Sequence, residues 1–245
     1  EYSTLRTQLV TSMLTVLATN YSRKIPAVRF FEVSKRFIPH ALPLNEQPQE
    51  LPTLCLGLYG KEEDFFTLKG IVESVFAQFA VPVEYVRDQE PYFHPGRQAA
   101  ALWNGRKVAA FGEVHPDVAA SYGMDARIYV AEMDLAALLT AEEPRVLYHP
   151  LPRFPAVERD LALTCDENKP VAEIEKLIRK AGGKLLESVE LFDVYQGAQI
   201  LAGKKSVAYA LKFRTADRTL SDADIDPLMN KIYTLLQEND CILRT

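Results

Sequence analysis

Hydrophobic residues recur every three or four positions in two segments of the first half of the chain, which predicts two amphipathic helices. The first helix is predicted over Leu5–Asn20 and the second over Asp64–Phe79, with Asp64 placed to cap it. Segments rich in β-branched and aromatic residues separate and follow these helices, and such composition is typical of strands. The predicted strands are Ala27–Phe37, Leu54–Tyr59, Val83–Val86 and Ala126–Leu135, together with a hairpin over Ala99–Val114.

Turn-forming residues fill the intervals between these elements. Asn104-Gly105 supplies the two positive-φ residues that a type I′ turn requires, so the hairpin is expected to reverse there. Pro39–Pro52 and Asp88–Gln98 are predicted to be loops, and a short helix is expected after Pro116. The first half of the chain therefore predicts an antiparallel sheet with flanking helices.

The last ninety or so residues alternate between strand-like and helix-like patterns in the order βαββαβ. This order is that of a ferredoxin-like unit, in which a four-stranded antiparallel sheet carries both helices on one face. The other face is left open, and RNA-recognition domains use such a face. The predicted strands are Val157–Thr164, Leu185–Tyr195, Lys205–Arg214 and Cys241–Arg244, and the helices are Val171–Ala181 and a second one capped by Ser221 and Asp224.

A proline-bearing segment separates the two patterns. Residues 141–156 contain Pro144, Pro150, Pro152 and Pro155, which stiffen the chain and prevent regular pairing. We therefore predict two domains, residues 1–147 and residues 148–245. The fold class expected is α+β.

Alternation within the predicted strands indicates which residues lie on the open face. Val207, Tyr209, Leu211 and Phe213 share one side of their strand and are expected to face the helices. The opposite side then has a floor of small residues with polar and aromatic groups around it. The floor consists of Ala162, Ala208 and Ala210, and the surrounding groups are Asp193, Tyr195, Ser206, Lys212, Arg214 and Arg244.

Such a floor would let a flat base approach the backbone. Tyr195 and Arg244 are the groups that could stack on the base, and Asp193 offers two acceptor oxygens to the N1/N2 edge of guanine. A solvated sheet face without any ligand explains the same pattern, since small residues on an exposed strand are common. The alternation alone favours this second interpretation.

Charge and cysteine content restrict the function further. The chain has 245 residues and a net charge of −5, so an RNA-binding face would depend on shape, stacking and a few placed groups rather than on a basic patch. Its three cysteines form no CxxC motif, which is typical of buried, reduced thiols in a cytosolic protein. No apolar run reaches the length of a membrane span. Since the first residue is Glu1, we expect a piece of a longer chain.

No residue pattern predicts a catalytic or a metal site. His115 is expected to start a helix rather than act as a base, because no second histidine or cysteine stands at metal-ligand spacing. The acidic run Asp222–Asp226 is explained by the helix dipole at a first turn. His94 is placed in a surface loop.

Several motifs, in order along the chain, resemble the β subunit of bacterial phenylalanyl-tRNA synthetase. The last domain resembles the ferredoxin-fold anticodon-binding domain that ends this subunit, and the first half resembles its catalytic-like module. The motifs that carry the resemblance are LRTQLVTSMLTVLATN, HPGRQAAALWNGRKVAAFGEVHP, PRFPAVERDLAL, VELFDVYQG, KKSVAYALKFR and DRTLSDADI.

The resemblance implies a class II synthetase-like core that does not catalyse the reaction. A class II site needs arginines to hold ATP phosphates, whereas this chain has Ile38 and Pro39 where one arginine would stand. Met133–Leu135 occupies the expected place of the other. The implied enzyme charges phenylalanine tRNA with ATP and Mg²⁺ in the cytoplasm, as two α and two β subunits. This piece itself would bind no cofactor.

The same resemblance implies that the last domain recognises guanine, the first anticodon base. Asp193 and Ser206 would contact the base, Tyr195 and Arg244 would stack around it, and Ala162 would form the floor. These are the candidate RNA-binding residues. The alternative hypothesis is a ferredoxin-like module that binds a protein or an effector, with the first half as a dimerisation domain, and the net negative charge favours it.

Overall fold

A computed structural model describes residues 4–141, 148, 150–197 and 199–244. The chain divides into two compact units, Glu1–Val146 and Leu147–Thr245. The domain boundary predicted between residues 147 and 148 involves a residue outside the described part of the chain and stays a prediction.

The first unit is built on a six-stranded antiparallel sheet. The strands are β1 (Val28–Ile38), β2 (Gln49–Tyr59), β3 (Glu84–Arg87), β4 (Phe93–Trp103), β5 (Arg106–Val114) and β6 (Ile128–Asp134), and the helices are α1 (Val10–Ser22), α2 (Phe65–Gln78), α3 (Pro116–Ser121) and α4 (Leu135–Leu139). The strand order is β1-β2-β6-β5-β4-β3. The antiparallel sheet with flanking helices is confirmed, whereas its class II synthetase character stays a prediction.

Helices cover both faces of the central strands of this sheet, which explains the two hydrophobic cores of the unit. Helix α1 buries Met13 and Leu17 against one face, and α2 buries Val72 and Phe76 against the other. Successive residues of a strand point to opposite faces of the sheet, so alternate residues contribute to the two cores. The predicted Asn104-Gly105 turn is confirmed, because both residues have positive φ, at 51° and 77°.

In the first unit, three elements start well away from their predicted positions, and one helix was not predicted. Helix α1 starts at Val10 rather than Leu5, because the Leu9 N–H donates to Glu132 Oε2 at 2.6 Å and the Arg6 carbonyl accepts from Phe37 N at 2.8 Å. The preceding residues are thus held by tertiary contacts instead of helical ones. The others are the early start of β2 at Gln49, the early start of β4 at Phe93, and the unpredicted helix α4.

These differences also have local causes. Strand β2 extends past Pro52 because its pairing with β6 begins only at Thr53, so the proline lies where β2 has β1 as its one strand neighbour. Strand β4 contains extra residues between the pairs Phe93–Val114 and Gln98–Gly112, an irregularity that looks like a loop in the sequence.

The second unit is a four-stranded antiparallel sheet with two helices. The strands are β7 (Val157–Asp166), β8 (Leu186–Tyr195), β9 (Lys204–Phe213) and β10 (Ile242–Leu243), and the helices are α5 (Val171–Gly182) and α6 (Asp222–Gln237). Their order in the sheet, β10-β7-β9-β8, and the order βαββαβ along the chain confirm the ferredoxin-like prediction. Ile174 and Ile178 of α5 pack with Ile225 and Ile232 of α6 in one core.

The predicted capping box starts helix α6. The Ser221 backbone N–H donates to Asp224 Oδ2 at 2.9 Å, and two N–H groups of the Arg218 guanidinium donate to the same carboxylate at 2.7 Å each. The Arg218 hydrogen bond, followed by those from Ser221, holds the pKa of the Asp224 carboxyl well below its usual range. The carboxylate form is therefore the one that stabilises the start of the helix.

This cap predicts an acid-dependent loss of stability. The folded-state pKa of Asp224 lies below the unfolded one, so its contribution is present above about pH 4 and is lost as the pH falls further. We expect wild type to be more stable than Asp224→Asn at neutral pH, and the difference to shrink in acid. Urea unfolding followed by circular dichroism at several pH values measures it. Asp226→Asn is the control, and a difference independent of pH would contradict the assignment.

Candidate RNA-binding face

The side of the second unit's sheet opposite α5 and α6 is called the open face here. Val207, Tyr209 and Leu211 of β9 point to the helices and are fully buried, as is Leu163 of β7. The residues between them on β9, Ala208 and Ala210, remain half-exposed, as do Ala162 and Thr164 on β7. The alternation predicted for these two strands is confirmed.

Strand register places the candidate residues in two adjacent rows across the sheet. In the first row, Ala208 lies between Ala162 and Asp193. In the second, Ser206 lies between Thr164 and Tyr195. Neighbouring strands are about 4.8 Å apart and the rows about 7 Å apart, so the rows bound an area close to that of one nucleotide.

Arg244 extends the first row at the edge of the sheet. Its backbone N–H donates to the Ala162 carbonyl at 2.9 Å, which continues the pairing of β10 with β7. Its side chain lies on the open face, because its Nη1 atom is 3.4 Å from Ser206 Oγ. The structure thus brings all five candidate residues together, while their role in binding RNA stays a prediction.

A β-bulge in β8 directs Asp193 and Tyr195 to the open face. Leu191 pairs with Tyr209 and Asp193 pairs with Ala208, so Phe192 is an extra residue in the strand. Val189 and Leu191 face the helix-side core, and without the bulge Asp193 would face it too. The sequence signal is the adjacent apolar pair Leu191-Phe192, which interrupts the alternation.

Exposure differs strongly among the candidate side chains. Asp193 and Arg244 are exposed, and Tyr195 retains 38% of its surface. Ser206 retains only 5%, and its hydroxyl lies next to the Arg244 guanidinium. A ligand that binds this hydroxyl therefore competes with the Arg244 guanidinium for it. The contact between Arg244 and Ser206 is one that sequence reasoning missed.

Tyr195 is positioned by the loop that follows it. A Cβ atom at Gly197 would clash with the ring and hydroxyl of Tyr195 in this position, so the loop passes close to the ring at a residue without a side chain. The ring is thus supported on one side by backbone and is available on the remaining exposed surface. This arrangement limits the conformational freedom that a stacking side chain would lose on binding.

The remaining charges on and around the open face are mostly paired or acidic. Lys212 Nζ lies 3.2 Å from Glu158 Oε1, and Arg214 Nε lies 2.5 Å from Glu187 Oε2. Asp160 and Glu190 flank Ala210 across the sheet. Among the candidate residues, Arg244 is the cation, and it forms no ion pair with described residues. The face therefore suits a planar ligand better than a run of phosphates.

The other chemical candidates have structural explanations. His115 caps α3, its Nδ1 accepting from Asp117 N at 3.3 Å, which confirms that it starts a helix. The described residues include no cluster of three or more histidine, cysteine or acidic groups suited to a metal ion. All three cysteines are buried and free, and burial raises the pKa of the Cys165 thiol.

No helix in the described part of the chain has the length and apolar character needed to cross a bilayer.

Comparison with known proteins gives two family matches and several similar relatives. The family described as "Phenylalanyl tRNA synthetase beta chain CLM domain" matches residues 1–135, and "Ferredoxin-fold anticodon binding domain" matches residues 152–244. The phenylalanine–tRNA ligase beta subunit of Clostridium tetani is 43% identical over 98% of this chain and 30% of its own length. The phenylalanine–tRNA ligase beta subunit of Symbiobacterium thermophilum is 39% identical over 99% of this chain and 28% of its own length. The chain thus spans about 30% of these relatives.

Proposed function

The chain belongs to the phenylalanyl-tRNA synthetase beta chain family, and we propose that its second unit binds the anticodon of phenylalanine tRNA. One observation carries the proposal. The bulge at Phe192 and the strand register gather an acid, an aromatic ring and a guanidinium that forms no ion pair with described residues around a floor of alanines. These are groups that recognise a single unstacked base.

In this proposal the first anticodon base, a guanine, lies on Ala162. Asp193 accepts from the N1–H and N2–H groups of guanine, which the other three bases do not present together. Tyr195 stacks on the base, and the Arg244 guanidinium moves off Ser206 to stack as well. The Ser206 hydroxyl released by this movement then makes a further hydrogen bond to the base.

We assign a supporting role to the first unit, in which it packs against a catalytic α subunit within an assembly of two α and two β chains. ATP and Mg²⁺ belong to the α subunit in this proposal, and the whole enzyme works in the cytoplasm. The positions where the family's ATP-binding arginines would stand do not fit ATP phosphates, since Ile38 and Pro39 carry no charge. Asp134 is already engaged by Arg106 at 2.5 Å and by the N–H of Ala137 at 3.0 Å.

A gel-shift titration of the chain with phenylalanine tRNA tests the anticodon assignment. We expect that replacing the guanine at the first anticodon position weakens binding about ten-fold or more, because Asp193 loses two hydrogen-bond donors. A tRNA changed at a base pair of the acceptor stem is the control, and it should bind like the unchanged tRNA. Equal affinity for all three tRNAs would overturn the assignment.

One observation favours a second function, the binding of a protein or effector. The open face carries the exposed carboxylates of Asp160, Glu190 and Asp193, which repel a polyanion. Under this alternative the tRNA titration shows neither discrimination at the anticodon nor a steep dependence on salt concentration. The same experiment therefore separates the two functions.

A further inference from the structure

Two of the three cysteines, which are far apart in the sequence, meet across strands of the second unit. Strand β10 pairs antiparallel with β7, with Ile242 opposite Thr164, and this register places Cys241 directly opposite Cys165. Both cysteines belong to the core beneath α5 and α6, so their side chains lie on the same face of the sheet. Both thiols also raise the pKa of the Tyr209 hydroxyl, to which burial contributes most, so they lie near one common atom.

The position of this pair in the strand ladder suits a disulfide. The Arg244 N–H donates to the Ala162 carbonyl at 2.9 Å, which makes these two residues a hydrogen-bonded pair. Such pairs alternate with non-hydrogen-bonded ones, so Cys241 and Cys165, three positions away, form a non-hydrogen-bonded pair. The Cα atoms of such a pair are about 4.5 Å apart, and disulfides join Cα atoms about 4.4–6.8 Å apart. A bridge therefore requires little movement of the backbone.

Burial and a neighbouring ammonium group act in opposite directions on the two thiols. Burial raises the pKa of both Cys165 and Cys241, whereas the positive charge of Lys169 acts to lower it. Lys169 Nζ donates to the Asn239 carbonyl, and Cys241 Sγ lies 3.6 Å from the same oxygen. The ammonium is thus held beside the segment that leads into β10, where it favours the thiolate, the form of cysteine that reacts.

An oxidant reaches these thiols only when β10 separates from β7, because Cys165 is 0% exposed and Cys241 only 1%. Strand β10 consists of two residues, Ile242 and Leu243, which are both exposed and pair with β7 alone. Short exposed segments of this kind open at low free-energy cost. A small oxidant can therefore enter during an opening, and the disulfide that results occupies the space of the two thiols.

We infer that Cys165 and Cys241 are a site of reversible disulfide formation by a peroxide. The Cys241 thiolate, which moves with β10, attacks one oxygen of hydrogen peroxide, giving a sulfenic acid and hydroxide. Attack of Cys165 sulfur on the sulfenic sulfur forms the S–S bond and expels a second hydroxide. The two thiol protons convert both hydroxides to water, so two thiols are oxidised and one peroxide is reduced to two water molecules. A dithiol reductant reverses the bond by thiol–disulfide exchange.

The inference goes beyond anticodon binding and does not depend on it. The bridge would join β10 to β7 and would thereby hold the segment that ends in Arg244 beside Ala162. It would also close a long loop of the unfolded chain, which stabilises the folded state. Thiol content and resistance to urea measure both effects without any tRNA, so either proposal can fail alone.

Treatment of the whole chain with hydrogen peroxide, followed by alkylation in denaturant and peptide mapping without reduction, tests the inference. We expect one cross-linked pair of peptides, containing Cys165 and Cys241, and a mass lower by two hydrogen atoms before alkylation. Cys55 is the internal control, because it is equally buried but is the only cysteine of the first unit, and it should still be alkylated. Dithiothreitol should restore three thiols. Three alkylated cysteines after peroxide treatment, or a bridge that includes Cys55, would overturn the inference.

Serine variants identify the pair and link it to stability. Cys55→Ser should form the bridge as wild type does, whereas Cys165→Ser and Cys241→Ser should form none. Oxidised wild type and oxidised Cys55→Ser should unfold at higher urea concentration than their reduced forms, and the other two variants should show no such increase. If one of these two fails to fold, the other still provides the comparison. An equal increase in Cys241→Ser would refute the inference.

Discussion

Replacing Phe213 with alanine is expected to lower the free energy of unfolding of the second unit by about 3–5 kcal/mol. Phe213 lies at the end of β9, is fully buried, and belongs to the core beneath α5 and α6. Its backbone pairs with Val157 on one side and Leu186 on the other. The paired strands therefore restrict any movement that would fill the space left by the removed ring. A cavity here would collapse little, which places the loss within the range of large-to-small aromatic substitutions.

Two optical signals and one matched variant make this measurement specific. The chain has a single tryptophan, Trp103 in β4, so tryptophan fluorescence follows the first unit while circular dichroism follows both. Phe213→Ala should shift the circular dichroism transition in urea and leave the fluorescence transition in place. Phe192→Ala, at an aromatic residue that is 57% exposed, should cost less than about 1 kcal/mol. Equal losses in the two variants would mean that the core face of β9 is assigned wrongly.

The fold of the second unit could be predicted because several independent local signals agree. The apolar alternation of β9 indicates one buried face, and Ser221 with Asp224 marks the start of α6. The order of strands and helices then leaves one common arrangement, with both helices on the same side. Each signal depends on residues near one another in the sequence, and this is why they are visible there.

The differences in the first unit arise where distant residues determine local structure. The start of α1 depends on Glu132, which is more than a hundred residues away and whose carboxylate accepts a hydrogen bond from the Leu9 N–H. Pro52 marks a loop in the sequence, yet β2 includes it because β6 does not reach that far. Neither the hydrogen bond to Glu132 nor the end of the β2–β6 pairing can be predicted from hydrophobic periodicity or turn propensity. The unpredicted helix α4 is a simpler case, since Asp134 was available in the sequence as its cap.

The candidate site was predictable in part for the same reasons. Ala162 and Ser206 follow from the alternation of regular strands, whereas the side taken by Asp193 depends on the bulge at Phe192. The partners of the cations are not visible in the sequence at all. Lys212 and Arg214 were expected to surround the floor, and the structure pairs both with glutamates. Among these three cations, Arg244 is therefore the one that can contact a ligand without first breaking an ion pair with a described residue.

This arrangement makes Tyr195 the residue on which base binding should depend most. We expect Tyr195→Ala to weaken the affinity for phenylalanine tRNA by about 1–3 kcal/mol, the loss of one stacked base. The fold should be retained, because Tyr195 contributes no surface to the core beneath the helices and keeps 38% of its own exposed. Tyr195→Phe should retain most of the affinity, since the ring stacks without its hydroxyl.

The control for this prediction lies three residues earlier in the same strand. Phe192 is also aromatic and more exposed than Tyr195, but it is the bulge residue and belongs to neither of the two rows. Phe192→Ala should therefore bind tRNA nearly as wild type does, which distinguishes stacking at one position from general apolar attraction. Gel-shift titrations of the three variants, with circular dichroism to verify folding, measure the effect. Unchanged affinity in Tyr195→Ala would refute the stacking role, because no other aromatic side chain occupies the two rows on the open face.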